Sequence, residues 1–179
     1  AFRRKETFST SGPHIKVRFF ASNDFADGLI EGVDSIAQAY AQGVAMGGDL
    51  GRQLDGTPEF FVWASPDADS VALQRLQIIK GWIEDGESKE MVYDIACSDG
   101  GGGDTQTHRC PDNGAGVDLT TCATTPDKGA GELRTLWQDP DFDRDKRAFY
   151  YVRVLENPKC RWIFFTILDS ETIFEAKNR

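Results

Sequence analysis

With 179 residues, 40% of them hydrophobic and 27% charged, the chain carries enough apolar surface to bury a core, which excludes a disordered polymer. No apolar run approaches the roughly 20 residues that a membrane-spanning helix needs. A net charge of −9 repels phosphate backbones and anionic lipid, which argues against nucleic-acid binding and docking on anionic membranes.

Taken in chain order, Ala1-Phe2-Arg3-Arg4-Lys5 is basic but has no apolar stretch behind it, so it does not read as a signal peptide. His14 to Phe20 alternates, with Ile15, Val17 and Phe19 on one side and His14, Lys16 and Arg18 on the other, the period of a half-buried strand. Asp34 to Gln42 predicts a short helix, capped by Asp34 or Ser35, with Ile36 and Tyr40 on one face and Gly43 as a left-handed stop. Glu59 to Ala64 predicts a second strand, ended by Ser65-Pro66-Asp67.

Leu76 to Glu84 and Ser88 to Ala96 flank Asp85-Gly86, a pair that suits a primed turn because Gly tolerates positive φ. On the returning strand Met91, Tyr93 and Ile95 share a face. Residues 98–131, with Gly100-Gly101-Gly102-Gly103, read as a long, flexible surface excursion. Glu132 to Trp137 suits one helical turn or a short strand. Arg147 to Glu156 predicts a central strand with Tyr150, Val152 and Val154 on one face and Phe149, Tyr151 and Leu155 on the other, both covered. Residues 162–168 predict a last strand, and 170–177 a terminal helical turn or two. No internal repeat or heptad pattern is present, and nothing specifies an oligomeric state. Spaced strands, one clear hairpin and few helices predict a mainly β chain, with sandwich-like antiparallel sheets, one or two short helices and long loops in a single domain over 1–179.

The four cysteines, Cys97, Cys110, Cys122 and Cys160, contain no close pair of the kind zinc sites use. Their even count in loop-rich sequence predicts disulfides and an oxidising compartment, periplasmic or secreted, against the alternative of reduced core thiols. Three pairings are open; Cys97–Cys110 with Cys122–Cys160 is preferred because the first would close a Gly-rich loop with little else to hold it.

Other chemical signals are sparse. Asp139, Asp141, Asp143 and Asp145 alternate as hard oxygen ligands for calcium would, but Arg144 and Tyr150 stand where an EF-hand needs Gly and an acidic residue. A solvated acidic turn is the competing reading. The Gly100–Gly103 run lacks the Lys and Ser or Thr of a phosphate loop. His14 and His108 have no triad neighbours. No catalytic residue and no bound cofactor is expected, calcium being the one ion considered.

Several segments carry a resemblance. Thr10-Ser11-Gly12-Pro13-His14-Ile15-Lys16-Val17-Arg18-Phe19-Phe20, Met46-Gly47-Gly48-Asp49-Leu50, Leu76-Gln77-Ile78-Ile79-Lys80-Gly81-Trp82 and Val92-Tyr93-Asp94-Ile95-Ala96 resemble a bacterial family of unknown function, number 3604. So do Trp137-Gln138-Asp139-Pro140-Asp141-Phe142 and Arg147 to Glu156. The resemblance implies an exported protein whose upstream part is similar to metal-dependent hydrolase barrels of the polymerase-and-histidinol-phosphatase type. This chain has no His-x-His pair, so no metal ligand carries over. Residues 1–12 would then be the exit from that barrel, and 163–179 a divergent tail. His14 departs from the arginine of the family pattern, and Ile163-Phe164-Phe165-Thr166 from its Ser/Thr-rich continuation.

Three expectations follow. The chain is a noncatalytic accessory β module of such a hydrolase, a free-standing extracellular ligand- or carbohydrate-binding module, or an autonomous hydrolase with an unrecognised site. An exposed apolar patch along the first strand would favour the first, and an aromatic-lined groove with satisfied polar rims the second.

Overall fold

In the computed structural model, residues 2–51 and 56–161 are described. Two antiparallel sheets face one another. The first has strand order β2-β1-β3-β6, built from β1 (Lys16–Ser22), β2 (Val44–Ala45), β3 (Glu59–Ser65) and β6 (Leu133–Gln138). The second has order β5-β4-β7, from β4 (Leu73–Glu84), β5 (Glu87–Cys97) and β7 (Ala148–Glu156). Among the described residues, one α-helix, α1 (Ser35–Gln42), and a short 3-10 turn at Phe2–Arg4 accompany the sheets. The mainly β, sandwich-like expectation is met; the expectations for 162–168 and 170–177 lie outside the described residues.

The alternation in β1 explains the core. Val17, Phe19 and Ala21 on one side of the strand are buried, and Phe19 and Ala21 pack between the sheets with Phe60, Val62, Leu76, Ile78 and Tyr93. The opposite side of β1 is also covered further along. Phe20 joins Phe61, Phe25, Leu29 and Ala39 in a second cluster beneath α1. Two-sided burial is why Phe19-Phe20 and Phe60-Phe61 occur as adjacent pairs rather than in strict alternation.

Several local expectations change. α1 turns Ser35 and Ala39 inward, while Tyr40 is half-exposed, and Asp34 precedes the helix without a side-chain cap. Gly43 is extended, with φ −145°, not left-handed. Its requirement is space: a Cβ there would lie 2.5 Å from the Ala21 carbonyl oxygen. Glu132 to Trp137 resolves as strand, because β3 supplies six consecutive cross-strand partners. The segment directly after α1 also yields the two-residue strand β2, which the sequence did not announce.

The hairpin forms with Asp85 and Gly86 both at positive φ, 52° and 80°, as a primed turn demands. A bulge between Leu76 and Gln77 shifts the register, so that Gln77 opposes Asp94. β7 is not central: among the described residues it pairs only with β4. Its outer-facing aromatics, Phe149 and Tyr151, are 63% and 43% exposed. Aromatic content does not distinguish a covered face from a bare one.

Both preferred disulfides are present, Cys97–Cys110 and Cys122–Cys160. Closing 13- and 38-residue separations, they stabilise by roughly 3 and 4 kcal/mol through restriction of the unfolded chain.

Candidate functional site

The two sheets differ in strand length, and that mismatch makes the site. β4 and β5 run 12 and 11 residues, whereas β1, β3 and β6 run 7, 7 and 6. The inner face of the hairpin therefore extends past its opposing sheet. The turn after β6, residues 139–146, folds beneath this overhang and leaves a cleft of about 700 Å³ between itself and the strands. Trp82, Met91 and Tyr150 line the strand side, and Phe142, Arg144 and Lys146 the turn side. Such a volume lies within the range of roughly 300–1,000 Å³ typical of ligand pockets.

Strand parity decides what the cleft contains. Leu76, Ile78, Lys80 and Trp82 share the inward face of β4, so an apolar stripe ends in a lysine and a tryptophan. Lys80 is 6% exposed. Its ammonium donates to Asp139 Oδ2 at 2.5 Å and to the Asp141 carbonyl oxygen at 2.6 Å, and it lies 5.6 Å from the Trp82 ring centre. Tyr150, the cross-strand partner of Lys80, donates its hydroxyl to the same Asp139 oxygen at 2.7 Å. Tyr93 donates to Asp141 Oδ2 at 2.7 Å. Burial first, and these bonds to carboxylates second, push both phenols well above the ordinary tyrosine range. They remain neutral donors at physiological pH. At the mouth Lys146 pairs with Glu84, and that hydrogen bond holds Glu84 below the usual carboxylate range.

The acidic run divides its labour accordingly. Asp139 points inward to Lys80, and Asp141 takes the Tyr93 hydroxyl. Asp143 accepts the Asp145 backbone N–H at 3.0 Å, shaping the turn, and Asp145 is exposed. The four calcium candidates thus do not share a centre. Among the described residues no three His, Cys, Asp or Glu side chains converge as a metal site. What the alternating aspartates build is the turn that walls one side of the cleft.

A second structure borders it. Asp94, fully buried at its side chain, accepts from Arg75 Nη1 at 2.8 Å, Gln77 Nε2 at 2.6 Å and the Cys110 backbone N–H at 2.7 Å. Its own backbone N–H donates to the His108 carbonyl, and its carbonyl accepts from Gly103. The glycine-rich run is therefore tied to β5 rather than loose. Together with Cys97–Cys110, these bonds hold His108 at φ 58°, its ring 4.7 Å from that of Tyr93. His108 lines the cleft. His14 lies elsewhere, its backbone N–H donating to Asp67 Oδ2 at 2.6 Å.

Sequence reading missed Lys80, Trp82, Tyr93, Asp94 and Tyr150 as site residues. For Lys80 and Asp94 a signal existed: each is a lone charge inside an apolar strand, Ile78-Ile79-Lys80-Gly81-Trp82 and Val92-Tyr93-Asp94-Ile95. A charge there demands a buried partner.

Fold and site define a disulfide-stapled, two-sheet β module with an aromatic-lined cleft at one end. The chain belongs to the family described as "Protein of unknown function (DUF3604)", whose pattern matches residues 1–178. No curated protein and no solved structure matches it.

Proposed function

We propose that this chain is a noncatalytic ligand-binding β module of an exported protein, its ligand entering the cleft beneath the β4–β5 hairpin. One observation carries this reading: the cleft offers aromatic surface while its charges already hold internal partners, Lys80 with Asp139, Lys146 with Glu84, Asp141 with Tyr93. Paired charges and neutral phenols suit recognition rather than proton exchange with a substrate. Two disulfides and an acidic surface are compatible with an extracellular or periplasmic setting.

The test is a thermal-shift screen of the intact chain against glycans and other extracellular small molecules, repeated with Trp82→Ala. A hit that raises Tm in the native chain and weakens at least tenfold in Trp82→Ala supports the cleft as the site. Absence of any hit, or hits indifferent to Trp82, overturns it.

An accessory role beside a metallohydrolase-like barrel is the second reading. The first strand offers it no exposed patch, since Val17, Phe19 and Phe20 are all buried. Its supporting surface is on β7 instead, where Phe149 and Tyr151 stack 6.3 Å apart on the sheet's outer face, Phe149 lying over Gly81. Loss of binding between this chain and the upstream region on Phe149→Ser with Tyr151→Ser would favour it.

A further inference from the structure

Beside the main cleft lies a smaller one of about 240 Å³, lined by Trp137, Gln138, Pro140, Thr105 and the Gly102–Gly103 backbone. The two share Tyr93 and His108, and they flank the same turn: Asp141 and Phe142 border the larger, Pro140 the smaller. Trp82 belongs to one compartment and Trp137 to the other. Tyr93 stands between them, its ring 5.0 Å from that of Trp137.

The divider is fixed. The His108 backbone is bonded on both sides, its N–H to the Asp104 carbonyl at 2.8 Å and its carbonyl to the Asp94 N–H at 2.8 Å. The Cys97–Cys110 bridge lies two residues further on. A preformed boundary between two aromatic-walled compartments costs a ligand little ordering of the protein.

Charge narrows the chemistry. The lysines bordering the compartments are already paired, Lys80 with Asp139 and Lys146 with Glu84. Arg144 too has a partner. An anionic ligand would have to displace these pairs, against a chain charge of −9. What remains available is aromatic faces edged by hydrogen-bonding carboxylates, hydroxyls and amides. Neutral sugars present the complement, C–H faces that lie on rings and hydroxyls at their rims.

We propose, resting on the binding reading above, that the ligand is a neutral oligosaccharide laid across the Asp139–Phe142 turn, with one part against Trp82 and a neighbouring part against Trp137. The extended ligand spans both compartments, and His108 marks their junction.

The experiment is calorimetric titration of the intact, oxidised chain with size ladders, from monosaccharide to tetrasaccharide, of neutral glucans, xylans, mannans and galactans, with oligogalacturonides as the anionic comparison. The expected result is binding to at least one neutral ladder, tightening tenfold or more from monosaccharide to tetrasaccharide. In Trp137→Ala that gain with length disappears. Because Trp137 also packs on Phe60, Thr105→Trp provides a second test: the exposed Thr105 borders the smaller compartment, and the larger side chain fills it and removes the same gain without touching the core. Affinity flat with length, or a gain that survives Thr105→Trp, overturns the two-compartment inference and leaves a single-cleft module standing. Preference for the anionic ladder, or binding only of non-carbohydrate compounds, overturns the neutral-sugar assignment alone. No binding to any compound, in titration and thermal-shift screen alike, overturns both readings.

Discussion

Lys80 and Asp139, far apart in sequence, meet at 2.5 Å in the floor of the cleft, with side chains only 8% and 0% exposed. Each is tolerable only because of the other. Removing one partner of a buried pair leaves a bare charge, at a cost of about 3–5 kcal/mol. Asp139→Ala should lose that much in urea unfolding, and also release the Tyr150 hydroxyl. Lys80→Met combined with Asp139→Leu should lose less than Asp139→Ala alone. A double variant as unstable as that single one would show that pairing geometry, rather than the uncompensated charge, sets the cost.

The disulfides make separable contributions. Cys122→Ser with Cys160→Ser should lower unfolding free energy by about 4 kcal/mol, and Cys97→Ser with Cys110→Ser by about 3. The second pair should also loosen residues 98–110, seen as faster amide exchange at His108 and Gly103, whose backbones bond β5. Unchanged protection there would mean that Asp94 alone anchors the loop.

Alkaline stability follows from the two phenols. Tyr93 and Tyr150 have folded pKa values raised above their unfolded ones, so their contribution is complete below about pH 10 and is lost as pH rises further. The slope is up to about 1.4 kcal/mol per pH unit for each. Melting temperature against pH should fall steeply above 10, and the fall should flatten in Tyr93→Phe with Tyr150→Phe. An identical alkaline limb in that variant would contradict it. On the acid side the sign reverses: Glu84 and Asp67 are lowered by their hydrogen bonds to Lys146 and to the His14 backbone, so their support is lost as pH falls below the ordinary carboxylate range.

Gly43→Ala should destabilise by about 1–3 kcal/mol, the usual cost of forcing an extra methyl into filled space. The added carbon meets backbone at Ala21 and the Phe25 ring at 3.1 Å, so neither neighbour yields easily. Equilibrium unfolding measures this, and a neutral result would show that the α1 end shifts freely.

Much of the scaffold was legible because local chemistry decides it. The β1 alternation, the Asp85-Gly86 turn and the pairing of four cysteines each depend on few residues close together, or on a loop that needs closing. What stayed hidden depends on which sheet ends first. β7 reads as covered on both sides, yet Phe149 and Tyr151 are exposed because nothing among the described residues packs over that end of the outer face. The acidic turn shows the same limit. Asp139 to Asp145 alternate like ligands, and only the position of Lys80 on a distant strand reveals that one of them is a counter-ion.

The overhang of the long hairpin beyond the shorter sheet has an evolutionary reading. It works as a ruler: inserting one residue pair in each arm would lengthen the shelf by about 7 Å and keep Lys80 and Trp82 facing inward. Inserting a single residue in each arm would turn the added positions inside out and present the wrong side chains. Variation in cleft length across relatives should therefore come in even steps.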